Sequence, residues 1–425
     1  MRPATAERAR WREFGAMLAC IAGCGAWAAG PAIQPEKSAK PAAPSASQPA
    51  KAQSPAASGA VEVDVVAEIP QRQLTGVAIT KKGRMFISFP RWHTSFKMSL
   101  IEQFADGMSV PYPNIVWNSY SEGSEEHRGI QFVCVQSIKV DDADRLWVLD
   151  SAAPRMEGVK RGEFDGGGPK LIEFDLETAR QRRVYRILGL SALESSYLND
   201  FEVDNANNIA YITDSGDGAI ILVNLRTYES KRVLERHAST KPDPTFIPII
   251  DGQELRNRKG VVPSVGADGI ALDRANGYLY YQPLIGKKLY RIKTQVLLDV
   301  LPGKFMTGEQ KNTVAAAVEE VGETVMTDGM IFDHAGNLYF TAVERNAITM
   351  RTPDGELHDI VTGGLLKWPD SLAIGPKFGG SPDGSDQQYM YITASQVHLS
   401  SWFSADGSEP TEPFRVLRIK MPTTK

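Results

Sequence analysis

The chain has 425 residues, with 47 Lys and Arg against 51 Asp and Glu, a net charge of −4, 42% hydrophobic residues and three cysteines. These values exclude wholesale disorder and a basic nucleic-acid binder. The apolar run near the start, Phe14 to Gly23, is about half of what a bilayer-spanning helix needs, and no later run is longer and uncharged, which excludes a polytopic membrane protein.

Residues 1–24 read as a targeting segment. Arg2, Arg8, Arg10 and Arg12 precede the apolar stretch Gly15 to Gly23, the positive-then-apolar order of a secretory signal. Two processing modes fit. Ile21-Ala22-Gly23-Cys24 has the small-residue-then-cysteine pattern of a bacterial lipoprotein signal, with Cys24 as the lipidated residue, whereas Ala26-Trp27-Ala28 suits cleavage to a free product. Either mode predicts a protein that is secreted, periplasmic or lipid-anchored to a bacterial envelope, touching membrane only through that anchor.

Residues 25–60 are dominated by Ala, Pro, Ser, Lys and Gln, with Ile33 the one bulky apolar residue after Ala28, so this stretch cannot bury enough surface to offset the entropy of ordering and reads as a linker. Without residues 1–60 the remaining 61–425 carries 40 Lys and Arg against 48 Asp and Glu, a net of −8. An acidic fold offers no footprint for phosphate backbones, so no nucleic-acid partner is expected. Cys134 lies in the apolar run Ile130 to Val135 and is expected as a buried, inert thiol.

From residue 75 onward a pattern recurs six times: a polar residue with a small partner, an apolar-alternating strand, an Asp/Asn/Gly turn, and a second aromatic-rich strand. The openings are Thr75-Gly76, Gln136-Ser137, Asn199-Asp200, Asp268-Gly269, Asp328-Gly329 and Asp370-Ser371. Several units continue into a third strand, such as Lys170 to Leu176 and Lys288 to Ile292. Units of about 61 residues, each with four short antiparallel strands, predict an all-β fold, a six-bladed β-propeller over 61–425. Val61 to Val66 is expected to close the ring beside Arg415 to Ile419, since an open ring would expose sheet edges. Helix is expected to be scarce, with Gln310 to Glu320 the best short candidate.

In a propeller the innermost strand of each blade begins beside the axis. The residues Thr75, Gln136, Asn199, Asp268, Asp328 and Asp370 therefore converge on one funnel, either as oxygen ligands for a hard cation such as Ca2+ in the central channel or as a polar floor for a small organic ligand. Asp141, Asp204, Asp273 and Asp333, placed before turns, are expected to serve those turns. His127 and His93 lie in an insertion after the strand Met85 to Phe89 that can reach over the channel mouth, and both are candidate acid/base groups. No histidine has zinc-ligand spacing, there is no nucleophile elbow, and Gly166-Gly167-Gly168 reads as a turn.

Pro90-Arg91-Trp92, Pro111-Tyr112-Pro113, Arg145 to Ser151, Leu198-Asn199-Asp200, Ala210 to Asp214, Leu279 to Leu284 and Trp368-Pro369-Asp370-Ser371 resemble, in order, the motifs of the major royal jelly protein and yellow family. The resemblance implies a secreted six-bladed propeller, in a family with members that bind small amines or sterols and others credited with dopachrome tautomerisation. A more distant resemblance, carried by Leu198-Asn199 and Thr327 to Tyr339, is to the gluconolactonase and regucalcin propellers. It implies Asn199 and Asp328 as ligands of a divalent metal, with Thr75 standing where those proteins have a glutamate.

Three functions stay open on these readings. The first is a monomeric propeller that binds, or also tautomerises, a small aromatic or cyclic molecule. It would use Asp268, Asp328 and His127 for proton transfer and Trp92, Gln136, Asn199, Tyr281, Trp368 and Asp370 for binding. The second is a metal-dependent lactonase, and the third a non-catalytic interaction propeller.

Overall fold

The computed structural model describes residues 61–92, 98–121, 130–153, 168–303, 305–380, 386–400, 402–404 and 409–421. Residues 1–60, read above as a targeting segment with Cys24 and a linker, lie outside the described residues, as do His93, His127 and Gly166-Gly167. No described helix is long and apolar enough to cross a membrane.

Six four-stranded antiparallel sheets follow one another along the chain. Blade one is Val77–Ile79, Met85–Ser88, Leu100–Gln103 and Ser109–Pro111; blade two is Val135–Val140, Leu146–Asp150, Lys170–Asp175 and Arg180–Arg186. Blade three is Leu198–Asp204, Ile209–Asp214, Ala219–Asn224 and Ser230–Val233; blade four is Ala267–Asp273, Tyr278–Pro283, Lys288–Lys293 and Glu319–Glu323. Blade five is Thr327–Phe332, Leu338–Ala342, Ala347–Arg351 and Leu357–Thr362; blade six takes Pro369–Gly375, Tyr389–Ala394 and Phe414–Lys420 and borrows its outer strand, Val63–Ile69, from the start of the fold.

The closing strand runs antiparallel to the last, with Val63 opposite Ile419 and Ile69 opposite Phe414, and Arg418 and Arg415 reach Asp64 and Glu68 across the pair. The expected closure is therefore present, extended by three residues to Ile69. Between blades, apolar faces stack into successive cores: Trp147, Phe201 and Ile212 between blades two and three, then Tyr211, Ile270 and Tyr281 between three and four.

The short helix is Gly308–Ala316, started by a capping box in which Thr307 and Gln310 satisfy each other's backbone N–H, and a further helix, Thr294–Asp299, precedes it. The expectation of helix to Glu320 is corrected. Glu319 and Glu320 belong to the outer strand of blade four, where each faces a cation across the pair, Arg291 at 2.7 Å and Lys288 at 3.2 Å.

Inner strands share one irregularity. In blades three to six the pairing with the second strand slips between Leu198 and Phe201, Ala267 and Ile270, Thr327 and Met330, and Pro369 and Leu372. The residues inside each slip are the openings read from the sequence, so the polar pairs occupy β-bulges, which re-aim side chains off the sheet face. A hydroxyl from the second strand satisfies the freed backbone. Thr213 accepts from the Asp200 N–H and donates to the Asp268 carbonyl at 2.7 Å, and Thr393 accepts from Ser371 N–H and donates to the Thr75 carbonyl at 2.8 Å. Each hydroxyl thus locks its own bulge and the neighbouring blade together. The close approach explains the small second residue: a Cβ on Gly269 or Gly329 would sit 2.6 Å or 2.2 Å from the next blade's carbonyl oxygen.

Candidate functional site in the axial channel

The bulges bring Gln136, Asn199, Asp268, Asp328 and Asp370 to one end of the axis, and all five are buried. Around one half of the ring the groups are amides joined in series. Trp92 Nε1 donates to Tyr197 Oη at 2.8 Å, Tyr197 donates to Gln136 Oε1 at 2.6 Å, Gln136 Nε2 donates to Asn199 Oδ1 at 2.9 Å, and Asn199 Nδ2 donates to Ser215 Oγ at 3.2 Å. Thr75 turns away from this chain and donates to the Gln136 carbonyl at 2.7 Å.

The other half is carboxylate. Trp368 Nε1 donates to Asp328 Oδ2 at 2.6 Å, and Ser371 Oγ stands 3.5 Å from Asp370 Oδ1. Asp268 is 1% exposed and its Oδ1 has no hydrogen-bond partner. Burial pushes Asp268 well above the usual carboxylate range, and the charges of Asp328, Asp200 and Asp370 add to the effect. Asp370 is raised well above its ordinary value in the same way, by burial first and then by Asp328 and Asp200. Asp328 is pushed up to about 7 by burial, against the opposing hydrogen bond from Trp368.

Asp200 is a fourth buried carboxyl of this cluster, and sequence reasoning passed over it. It holds the second bulge position, where the other blades carry Gly76, Ser137, Gly269, Gly329 and Ser371. That contrast was the available signal: one charge at a phase otherwise filled by glycine and serine. Burial raises its pKa too, and Lys139 opposes the rise. Farther along the axis Lys139 pairs with Glu202, and the opposite end opens into a cavity of about 980 Å³ lined by Ile79, Val140, Leu272, Arg274, Phe332 and Ile374 among others.

The indoles of Trp92 and Trp368 bond Tyr197 and Asp328. Trp368 has φ +48, a left-handed backbone that a bulky residue adopts only under constraint, and its indole is aimed at Asp328. Tyr281 is corrected: it lies in the second strand of blade four, opposite Ile270, where strand alternation turns it into the core between blades three and four. Its hydroxyl bonds Ser239 Oγ at 2.7 Å and its ring stacks on Tyr290. Cys134 is a buried free thiol whose pKa burial pushes up to about 11. Asp141, Asp204, Asp273 and Asp333 do serve their turns, accepting from backbone N–H groups two to four residues ahead.

Two further aspartates hold the polar half in place. Asp150 accepts from the Val133, Cys134 and Ala152 N–H groups and pairs with Lys170 at 2.7 Å, with side-chain exposures of 0% and 1%. Asp214 accepts from Tyr197 N–H and Ser196 Oγ and pairs with Arg232 at 2.6 Å. Each buried pair ties down the segment leading into a bulge, one before Gln136 and one before Asn199.

The pair suggested for a divalent metal does not fit as a preformed site. Asn199 Oδ1 is occupied by the Gln136 N–H and Asp328 Oδ2 by the Trp368 N–H. Among the described residues no three His, Cys, Asp or Glu side chains are grouped to hold a metal ion.

The sequence profile of the major royal jelly protein family matches residues 133–399. Major royal jelly protein 5 of Apis mellifera is 28% identical over 264 residues, 59% of this chain and 41% of that protein. Protein yellow of Drosophila melanogaster is 24% identical over 339 residues, 75% of this chain and 55% of that one. The match thus spans about half the length of these relatives. Among solved structures, a luciferin-regenerating enzyme is similar with TM-score 0.48 and 11% identity, covering 85% of this chain and 96% of that one. A calcium-binding protein, regucalcin, from Agrobacterium tumefaciens is similar with TM-score 0.47 and 13% identity, covering 85% and 95%. With the profile running from the start of blade two into blade six, the chain belongs to the major royal jelly protein family.

Proposed function

We propose that this propeller binds a small organic cation, an aromatic or cyclic amine, with its ammonium group at the axial carboxylates and its ring against the tryptophan-bearing wall. The observation that carries the reading is Asp268: a buried carboxyl with one oxygen unpartnered, among three other buried carboxyls. An unmet acceptor in such a place costs stability, and a cationic N–H donor would satisfy it. The amide series from Trp92 to Ser215 supplies fixed donors and acceptors for the polar substituents of such a ring.

The test compares tryptamine with its neutral counterpart tryptophol by calorimetry on the full chain. Tryptamine is expected to bind and tryptophol to bind at least tenfold more weakly, about 1.4 kcal/mol. Asp268→Asn is expected to erase that preference. Equal binding of the two, or of neither, removes the reading; stabilisation by calcium with loss on chelation would favour metal chemistry instead.

A second reading of the same site has one observation in its favour. Asp328, with its pKa near 7, is poised to take or give a proton at neutral pH, which is what moving a proton on a bound carbon acid requires. Deuterium uptake from D2O into a bound ligand's C–H positions, lost in Asp328→Asn, checks it.

A further inference from the structure

The connection from blade three to blade four, residues 234–266, is the longest inter-blade connection among the described residues, and it does more than join strands. Midway it forms a small hairpin, Ile249–Ile250 paired with Gln253–Glu254. Ile250 and Leu255, 2% and 3% exposed, enter one apolar cluster with Trp92 of blade one, Leu284 of blade four, Val343 of blade five, and Trp368 and Phe403 of blade six. Residues from the ends of four blades meet the hairpin there, and two of them reach the axial site, Trp368 by bonding Asp328 and Trp92 through Tyr197 to Gln136. The hairpin therefore roofs the carboxylate end of the channel.

Polar contacts clip the roof at its turn. Asp251 accepts from Asn346 Nδ2 at 2.7 Å and lies 3.7 Å from Lys367 Nζ and 3.5 Å from His398 Nε2. His398 stacks on the Trp368 ring at an interplanar angle of 8°. Beside it, Ile249 N–H donates to Glu344, and Arg256 bridges to Ser404. Ile247, Ile249 and Val261 stay exposed, and Phe246 is only partly buried against the cluster, with Lys287 over its ring. A segment with two buried apolar anchors and one cluster of clips belongs to the low-stability end of a fold, whereas each blade is held by a full ladder and stacked cores.

We propose that residues 246–256 are a lid that opens without unfolding of the blades to give access to the axial carboxylates, and that Asp251 is its latch. The inference builds on the ligand-binding reading but is tested without a ligand. Asp251 has φ +50, which asparagine tolerates, so Asp251→Asn removes the charge and leaves the turn unstrained.

Two readouts on the full chain decide the matter. Hydrogen exchange followed by mass spectrometry is expected to show peptides of residues 246–256 exchanging at least tenfold faster than the inner strands. In Asp251→Asn those peptides accelerate about tenfold again with the blades unchanged. Labelling of Asp268, Asp328 and Asp370 by a water-soluble carbodiimide and an amine is expected to quicken in step, while labelling of the exposed Asp142 stays constant. Leu255→Ala, which loosens the roof without touching a charge, is expected to act in the same direction. A lid that exchanges as slowly as the blades in all variants overturns the proposal. So does a faster lid with unchanged carboxyl labelling, since access would then come from the opposite cavity. Failure of tryptamine to bind with both readouts as expected would sink the ligand reading and leave the lid standing.

Discussion

Asp328 is held between opposed influences, burial raising its pKa and the Trp368 indole N–H lowering it, with the balance at about 7. Trp368→Phe keeps the ring and removes the donor, so the Asp328 pKa is expected to move above 7, read by carboxyl-carbon NMR titration. The cluster as a whole makes stability depend on pH in a definite direction. Its carboxyls have folded pKa values raised above the ordinary 3.8, so the folded state holds protons that the unfolded chain gives up. Their contribution is complete below about pH 4 and is lost as pH rises through 7 and beyond. The ligand-free protein is therefore expected to melt a few degrees lower at pH 8 than at pH 5 on this account. Asp268→Asn should narrow that gap while changing little at pH 5. An ammonium ligand reverses the trend, because its binding expels protons and strengthens with pH. The axial ring was legible in the sequence because one polar residue recurs at one phase of six units. Asp200 stood out as a charge at a glycine and serine phase, but its direction depends on a two-residue bulge that the sequence pattern does not place, and Tyr281 failed for the opposite reason: its place in a strand of strict alternation sends it to the core.

Single elements are positioned by buried ion pairs. Asp214 with Arg232 and Asp150 with Lys170 hold the segments that enter blades three and two, and both carboxylates are fully buried. Removing one partner leaves the other charge stranded, so Lys170→Met is expected to cost about 3–5 kcal/mol, whereas the double change Lys170→Met with Asp150→Asn, which removes the charge and keeps an acceptor for the Cys134 and Ala152 N–H groups, recovers part of it. Urea unfolding of the three proteins measures the difference. The strand pairs themselves were readable from alternation and turn residues, and the third strands at 170 and 288 fell where expected. The roof over the channel was not readable. Its hairpin of two-residue strands has too short a period to register, and it comes from the blade three to four connection.

At the scale of the whole molecule, the ring is stable only when closed. Deleting residues 63–69 would leave Phe414–Lys420 as a bare edge and uncover Val416 and Ile419, both now buried. The expected outcome is an aggregated product in size-exclusion chromatography, where deletion of the exposed Gly303 would leave a folded one. The closing pair also has a consequence in time. Glu68 and Arg415 are 347 residues apart in sequence, and Asp64 and Arg418 are 354. During synthesis Val63–Ile69 must therefore wait, unpaired and β-prone, until Phe414–Lys420 has emerged. Blades one to five can assemble in order behind it, but the sixth is a seam that waits for Phe414–Lys420. Premature arrest or late truncation thus disables the opening strand as surely as the closing one, and any helper that attends this protein in the cell has its longest task at Val63–Ile69.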